Sequence, residues 1–183
     1  MNQGPQSGFT RYPSGWFASG SSPGDYEVRL DRTEHHSGEA SGSITCRSEK
    51  PTGFGTLMQV FKADKYHGKR LRLTAYVKTR EVETWAGIWM RVDDSAGAAA
   101  AFDNMQDRPL RGTLDWEQYE IVLDVPDKAQ NISFGLLLAG KGTAWADDFA
   151  FAVVDKKTPV TDLKQRIQEM PLEPGNLDFE DKA

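Results

Sequence analysis

Cysteine is nearly absent from this chain of 183 residues: Cys46 stands alone. No intrachain disulfide and no cysteine-based zinc site can therefore form. Long apolar runs are missing as well. Phe134 to Ala139, which contains a glycine, is typical of those present and far too short to span a bilayer. Positive charge is not in excess: 22 lysines and arginines face 27 acids, a net charge of -5. That balance gives this chain no electrostatic footprint for nucleic acid or for an anionic membrane. Met1 to Gly8 lack both a basic start and an apolar segment, so no export signal is visible and a cytoplasmic protein is expected. No P-loop, dinucleotide fingerprint or G-x-S-x-G elbow occurs, and no cofactor is implied.

What is present is an ordinary globular composition, 38% hydrophobic and 10% aromatic, with 17 Gly and 9 Pro. It excludes a disordered, collagen-like or coiled-coil chain. The dominant pattern is a period of two, the signature of half-buried strands. Leu71, Leu73, Ala75 and Val77 alternate with Arg72, Thr74, Tyr76 and Lys78. Ala86, Ile88, Met90 and Val92 alternate with Trp85, Gly87, Trp89 and Arg91. The rhythm returns from Tyr119 to Val125, from Ile132 to Leu138 and from Trp145 to Val153. Many short strands between Gly, Pro and Asp turns predict an all-β, two-sheet antiparallel sandwich.

Residues 1–24 read as a Gly/Ser/Pro-rich arm carrying Phe9, Trp16 and Phe17, residues 25–155 as the sandwich, and residues 156–183 as a helix and tail. All three belong to a single domain. Asp162 is placed to cap the one short C-terminal helix, with Gln165 three residues on and Pro171 as its stop. Leu163, Ile167 and Met170 share one face of it. Gly-Lys-Gly at 140 to 142 reads as a hairpin turn.

Three strings, taken in order, carry a family resemblance: Ser37 to Gly42 (SGEASG), Gly68 to Lys78 (GKRLRLTAYVK) and Ala144 to Phe149 (AWADDF). They resemble motifs of the galactose-binding-like jelly-roll domains of non-catalytic carbohydrate-binding modules. Gly53 to Phe61 and Ala101 to Met105 resemble a bacterial subfamily found alone or joined to helix-turn-helix regulators. The resemblance implies a jelly-roll sandwich. Asn176 to Glu180 (NLDFE) resembles the string that usually opens such a domain, yet here it stands at the back. Either it begins a second copy or it docks back as a C-terminal tail strand, and the alternation of Leu177 with Phe179 favours docking. In relatives a carboxylate of the last strand and a glutamate of that string hold calcium. Asp147, Asp148 and Glu180 are the matching acids here, and they supply at most part of an oxygen shell.

Strand parity singles out Trp85 to Asp93. If Ile88, Met90 and Val92 face the core, Trp85, Trp89 and Arg91 face away from it. Indole rings stack on the C–H faces of sugars, and a guanidinium donates to hydroxyls. With Phe102 turned inward, Asp103 joins that face, either as an acceptor for ligand or as the partner of Arg91. Gln59 and Tyr76 reach it from neighbouring strands. The competing reading packs Trp85 or Trp89 beneath a loop or the arm. His35-His36 and His67 read as solvated turns, because adjacent side chains on a strand diverge.

The sequence is compatible with three functional classes. The first is a non-catalytic module that binds a saccharide or similar small polar ligand on a concave sheet face through Trp85, Trp89, Arg91, Asp103 and Gln59. The second is a regulatory or assembly module that binds a protein partner or a second copy of itself. The third is a carbohydrate-active enzyme using a carboxylate pair such as Asp103 with Glu120; neither acid has an activating neighbour in the sequence.

Overall fold

The computed structural model describes residues 12–168 and 171–177. Among them nine strands occur in chain order: β1 (Phe17–Gly20), β2 (Tyr26–Asp31), β3 (Ser41–Cys46), β4 (Phe54–Lys62), β5 (Arg70–Asp94), β6 (Ala99–Asp103), β7 (Leu110–Asp124), β8 (Ala129–Ala139) and β9 (Thr143–Val154). A short helix, α1 (Leu163–Gln168), comes after them. Every strand pairing is antiparallel.

The 25-residue β5 belongs to two layers. Its first half, Arg70 to Arg80, pairs with β9 on one side, and Arg70 to Thr79 pairs with β7 on the other. Its second half, Trp85 to Asp94, pairs with β8, and Met90 to Asp93 pairs with β6. Between the halves Glu81 has φ of 53°, outside the extended region, and there the strand leaves one layer for the other. The first sheet runs β2-β3-β9-β5-β7 and the second β1-β4-β8-β5-β6. The result is an all-β jelly-roll sandwich with one short C-terminal helix.

The core lies between the layers, and the period of two puts it there. Leu71, Leu73, Ala75 and Val77 from the first half of β5 meet Ile88, Met90 and Val92 from the second, with Ile132, Phe134, Leu136 and Leu138 of β8. Fully burying one such aliphatic side chain stabilises the fold by roughly 1.5–3 kcal/mol. Arg70 anchors the segment that leaves the sandwich after β9. Its Nε and Nη2 donate to the two oxygens of Asp124 at 3.0 and 2.8 Å, and Nη1 donates to the carbonyls of Lys156 and Thr158. Asp124 is held well below the usual carboxylate range by Arg70 first, against partial burial.

Several local expectations are met and several are revised. Asp162 caps α1, accepting from the N–H groups of Lys164 and Gln165, while its second oxygen accepts from the N–H of Phe102 and ties the helix to β6. The Gln165 amide turns instead to Asp124, 2.9 Å away. Leu163 and Ile167 are exposed, and Met170 lies outside the described residues. Phe17–Gly20, within the stretch read as an arm, is an edge strand on β4. Gly140 to Gly142 is no hairpin: it carries the chain from the second sheet to the first. No strand forms over residues 171–177, where Leu172 and Leu177 are exposed, so the docking expected of the tail is not seen there. Asp178 to Glu180 lie outside the described residues.

Candidate functional site

The second sheet turns one face inward and one outward. On β5 the outward residues are Trp85, Gly87, Trp89 and Arg91; on β8 they are Ser133, Gly135, Leu137 and Ala139; on β4 they are Phe54, Thr56 and Met58. A groove of about 610 Å³ lies on this face. Trp89 and Leu137 form its floor, Phe54 and Ser19 to Ser21 line one side, and Phe102, Asn104 and Gln106 line the other. Gly87 helps to shape it. An added Cβ there would sit 3.1 Å from Met105 Cβ, so the glycine admits the turn after β6.

Each aromatic has a distinct state. Trp89 is 7% exposed, and its Nε1 donates to Thr56 Oγ1 at 2.8 Å, which donates to the carbonyl of Leu136. It is a locked floor, with no polar group left over. Trp85 is half-buried, and its Nε1 is sealed from solvent without an acceptor. Phe102 is 40% exposed. Arg91 lies between Phe102 of β6 and Ser133 of β8 in the register, with Nε 2.7 Å from Asp93 Oδ1.

The structure therefore brings Trp85, Trp89 and Arg91 to one face and places Asp103 and Gln59 elsewhere. Asp103 points inward with a nearly buried side chain. Arg108 Nη2 lies 2.6 Å from its Oδ2, and the N–H of Met105 donates to Oδ1. The register pairs Phe102 with Arg91 and Asp103 with Met90, so Phe102 faces outward. Asp103 is thus the partner of Arg108, not of Arg91. Gln59 shares the inner side of β4 with Leu57 and Phe61 and lines a second cavity of about 500 Å³ with Trp16, Phe134 and Phe149. Tyr76 lies on the first sheet, its ring stacked on His36 at 3.6 Å. The residues that sequence reasoning missed are Phe54, Thr56, Met58, Leu137 and Phe102. Its one available signal was the unbroken Leu136-Leu137-Leu138 run, which marks a strand covered on both faces.

The acids of the other readings are also engaged. Asp147 Oδ2 accepts from the N–H groups of His36 and Ser37, and Asp148 takes His36 Nδ1 at 2.7 Å and the Ser37 hydroxyl. His36 and then Ser37 hold the Asp148 carboxyl below its ordinary value. His36 is exposed in the β2–β3 loop, as expected, and it also fastens that loop to β9. Among the described residues no group of three or more His, Cys, Asp or Glu is placed to hold a metal, and Glu180 lies outside them. The Glu120 carboxylate pairs with Arg72, while its backbone carbonyl accepts from the same Arg108 that holds Asp103.

No protein-family model matches the chain. It is 46% identical over 169 residues to an uncharacterized helix-turn-helix-type transcriptional regulator, YbfP, of Bacillus subtilis. That match covers 92% of this chain and 57% of the regulator, so the chain spans little more than half its relative's length. Among solved structures, the CBM22-1 xylan-binding domain from Paenibacillus barcinonensis superposes with a TM-score of 0.56 at 15% identity, covering 80% of this chain and 90% of that one. A family 22 carbohydrate-binding module from Clostridium thermocellum gives 0.54 at 13% identity, over 76% and 86% of the two chains. The enzymatically active domain of tailspike protein 4 from bacteriophage CBA120 gives 0.57, but only 20% of that chain is covered. The chain has the jelly-roll fold of carbohydrate-binding modules, in a sequence related to part of a bacterial helix-turn-helix-type regulator.

Proposed function

We propose that the outward face of the second sheet binds a saccharide without transforming it. The observation that carries this reading is the composition of the groove. Aromatic rings of Trp85, Trp89, Phe54 and Phe102 lie beside Arg91, Asn104 and Gln106 in one concavity. Sugar rings need that pairing, an apolar C–H face against a ring and polar partners at the rim. The fold shared with xylan-binding and family 22 modules supports the reading, as does the ligand-binding cleft named for the Clostridium thermocellum module. The kinship with a regulator favours a sensing role, in which the module reports a sugar to a DNA-binding partner or segment.

The test is tryptophan emission and calorimetry against a sugar panel, with sizing chromatography alongside. A saturable, sugar-specific change in a monomer is expected. Trp85→Ala should weaken binding by about 1 kcal/mol, the worth of one stacking contact, while the protein stays folded. The assembly reading rests on the exposed Leu163 and Ile167 of α1 and predicts instead a concentration-dependent dimer with silent tryptophans.

A further inference from the structure

The groove has a one-sided charge. Of the described residues that line it, Arg91 alone is charged, and none is an acid. This is unusual company for a chain with more acids than bases. Two carboxylates of adjoining strand positions are buried and paired: Asp103 inward to Arg108, and Asp93 behind Arg91.

Arg91 is also only partly used. A guanidinium carries five N–H donors in a flat fork. Nε faces Asp93 Oδ1 at 2.7 Å, and the two terminal nitrogens make no hydrogen bond or ion pair with the described residues. The side chain is 45% exposed. Asp93 thus lies against the base of the fork as an ion pair, its Oδ1 buried without a hydrogen bond, and among the described residues the four terminal N–H groups stay available. That geometry suits a planar carboxylate or a phosphate, each of which accepts two parallel hydrogen bonds. Ser133 stands opposite Arg91 on β8 with a hydroxyl at the same rim, and Phe102 stands opposite on β6 with a ring to stack against a sugar. A neutral sugar would meet these donors only with hydroxyls, which carry no charge to pair with the guanidinium and do not match its fork.

Resting on the saccharide reading above, we propose that the preferred ligand is an anionic sugar, a uronic acid or a sugar phosphate, whose charge docks on the terminal nitrogens of Arg91. The ring lies against Phe102 and Trp85. The sources of the charge differ in shape and reach: a uronate carboxylate is planar and bonded to the ring, whereas the tetrahedral phosphate of a 6-phosphate sits two atoms further out.

The experiment is calorimetric titration with matched probes: glucose against glucuronate, galactose against galacturonate, and glucose against glucose 6-phosphate, with inorganic phosphate and acetate as bare anions. At least one acidic probe should bind about tenfold or more tightly than its neutral parent. Arg91→Gln should erase that preference, bringing each acidic probe to within about threefold of its neutral parent. Because Arg91→Gln leaves Asp93 buried without its cation, the double variant Arg91→Gln/Asp93→Asn is run beside it, with a melting curve for each. Neutral parents that bind as tightly as the acids, or a preference unchanged in both variants, would overturn this inference and leave the saccharide reading standing. Bare phosphate or acetate binding as tightly as the sugar acids would overturn both, as would silence from every probe.

Discussion

Two outward faces of this sandwich carry tryptophan, and they differ in what is done with its polar edge. On the first sheet Trp145 is 3% exposed, its N–H donates to Asp31 at 2.9 Å, and Arg80 lies 5.0 Å over its ring. The β2–β3 loop covers the same side: His36 stacks on Tyr76 and meets Asp148, and Glu34 pairs with Lys78. On the second sheet no loop among the described residues closes over the middle of the face. Trp85 has no acceptor for its N–H, Phe102 stands open, and the terminal nitrogens of Arg91 are unused. An aromatic on a strand's outward face is therefore no sign of a site by itself. Polar satisfaction separates the two: the first face pairs its donors, and the second leaves the terminal nitrogens of Arg91 exposed and unpaired among the described residues.

The comparison is most severely tested at its tryptophans. Trp145→Ala should cost about 3–5 kcal/mol, because a well-covered ring and its hydrogen bond to Asp31 go together; chemical denaturation measures it. Trp89→Ala should fall at or just below the low end, about 3 kcal/mol, since water in the groove can enter the space the floor vacates. A loss below about 0.5 kcal/mol at either position would contradict this packing.

Acid sharpens the contrast. Partial burial pushes Asp31 up, but hydrogen bonds from Trp145 and Thr33 and from the Thr33 and Glu34 N–H groups outweigh it and hold the carboxyl at about 2. Its folded pKa lies below the ordinary 3.8, so its contribution is complete above that value and is lost as pH falls from there through about 2. Melting temperature should drop across that window, and Asp31→Asn should flatten the drop. Groove variants should leave its slope unchanged.

The smallest effects on stability belong to the open face. Phe102→Ala should stay within about 0.5 kcal/mol of the parent, as exposed substitutions do. Trp85→Phe should be neutral or stabilising by up to about 1 kcal/mol, because it removes a buried donor that has no acceptor. A marked loss for Trp85→Phe would mean that the indole edge is structurally engaged.

Much of this was legible in the chain. The alternation from Leu71 to Val77 and from Ala86 to Val92 assigned both the inward and the outward face of β5, and so placed Trp85, Trp89 and Arg91 together. Capping of α1 by Asp162 was equally readable. Asp103 was misplaced because a large apolar Phe102 looked like the inward residue. The register shift between Val92 and Asp93 and the capture of Asp103 by Arg108, five residues on, reverse that order. Gln59 carried its own correction, since Leu57 and Phe61 flank it at a spacing of two. That Trp89 is locked to Thr56 was not readable, because the bond joins residues 33 positions apart on strands separated by β8.

The proposed ligand surface is the second sheet's open face and not the first sheet's finished one. The direct measurement is tryptophan emission during titration with the tightest-binding probe sugar in Trp85→Phe and Trp116→Phe, the latter altering the ring that lies 6.0 Å from His36 on the covered face. The account predicts that the sugar-induced change disappears or shrinks severalfold in Trp85→Phe and persists in Trp116→Phe. Persistence in Trp85→Phe with loss in Trp116→Phe would contradict it.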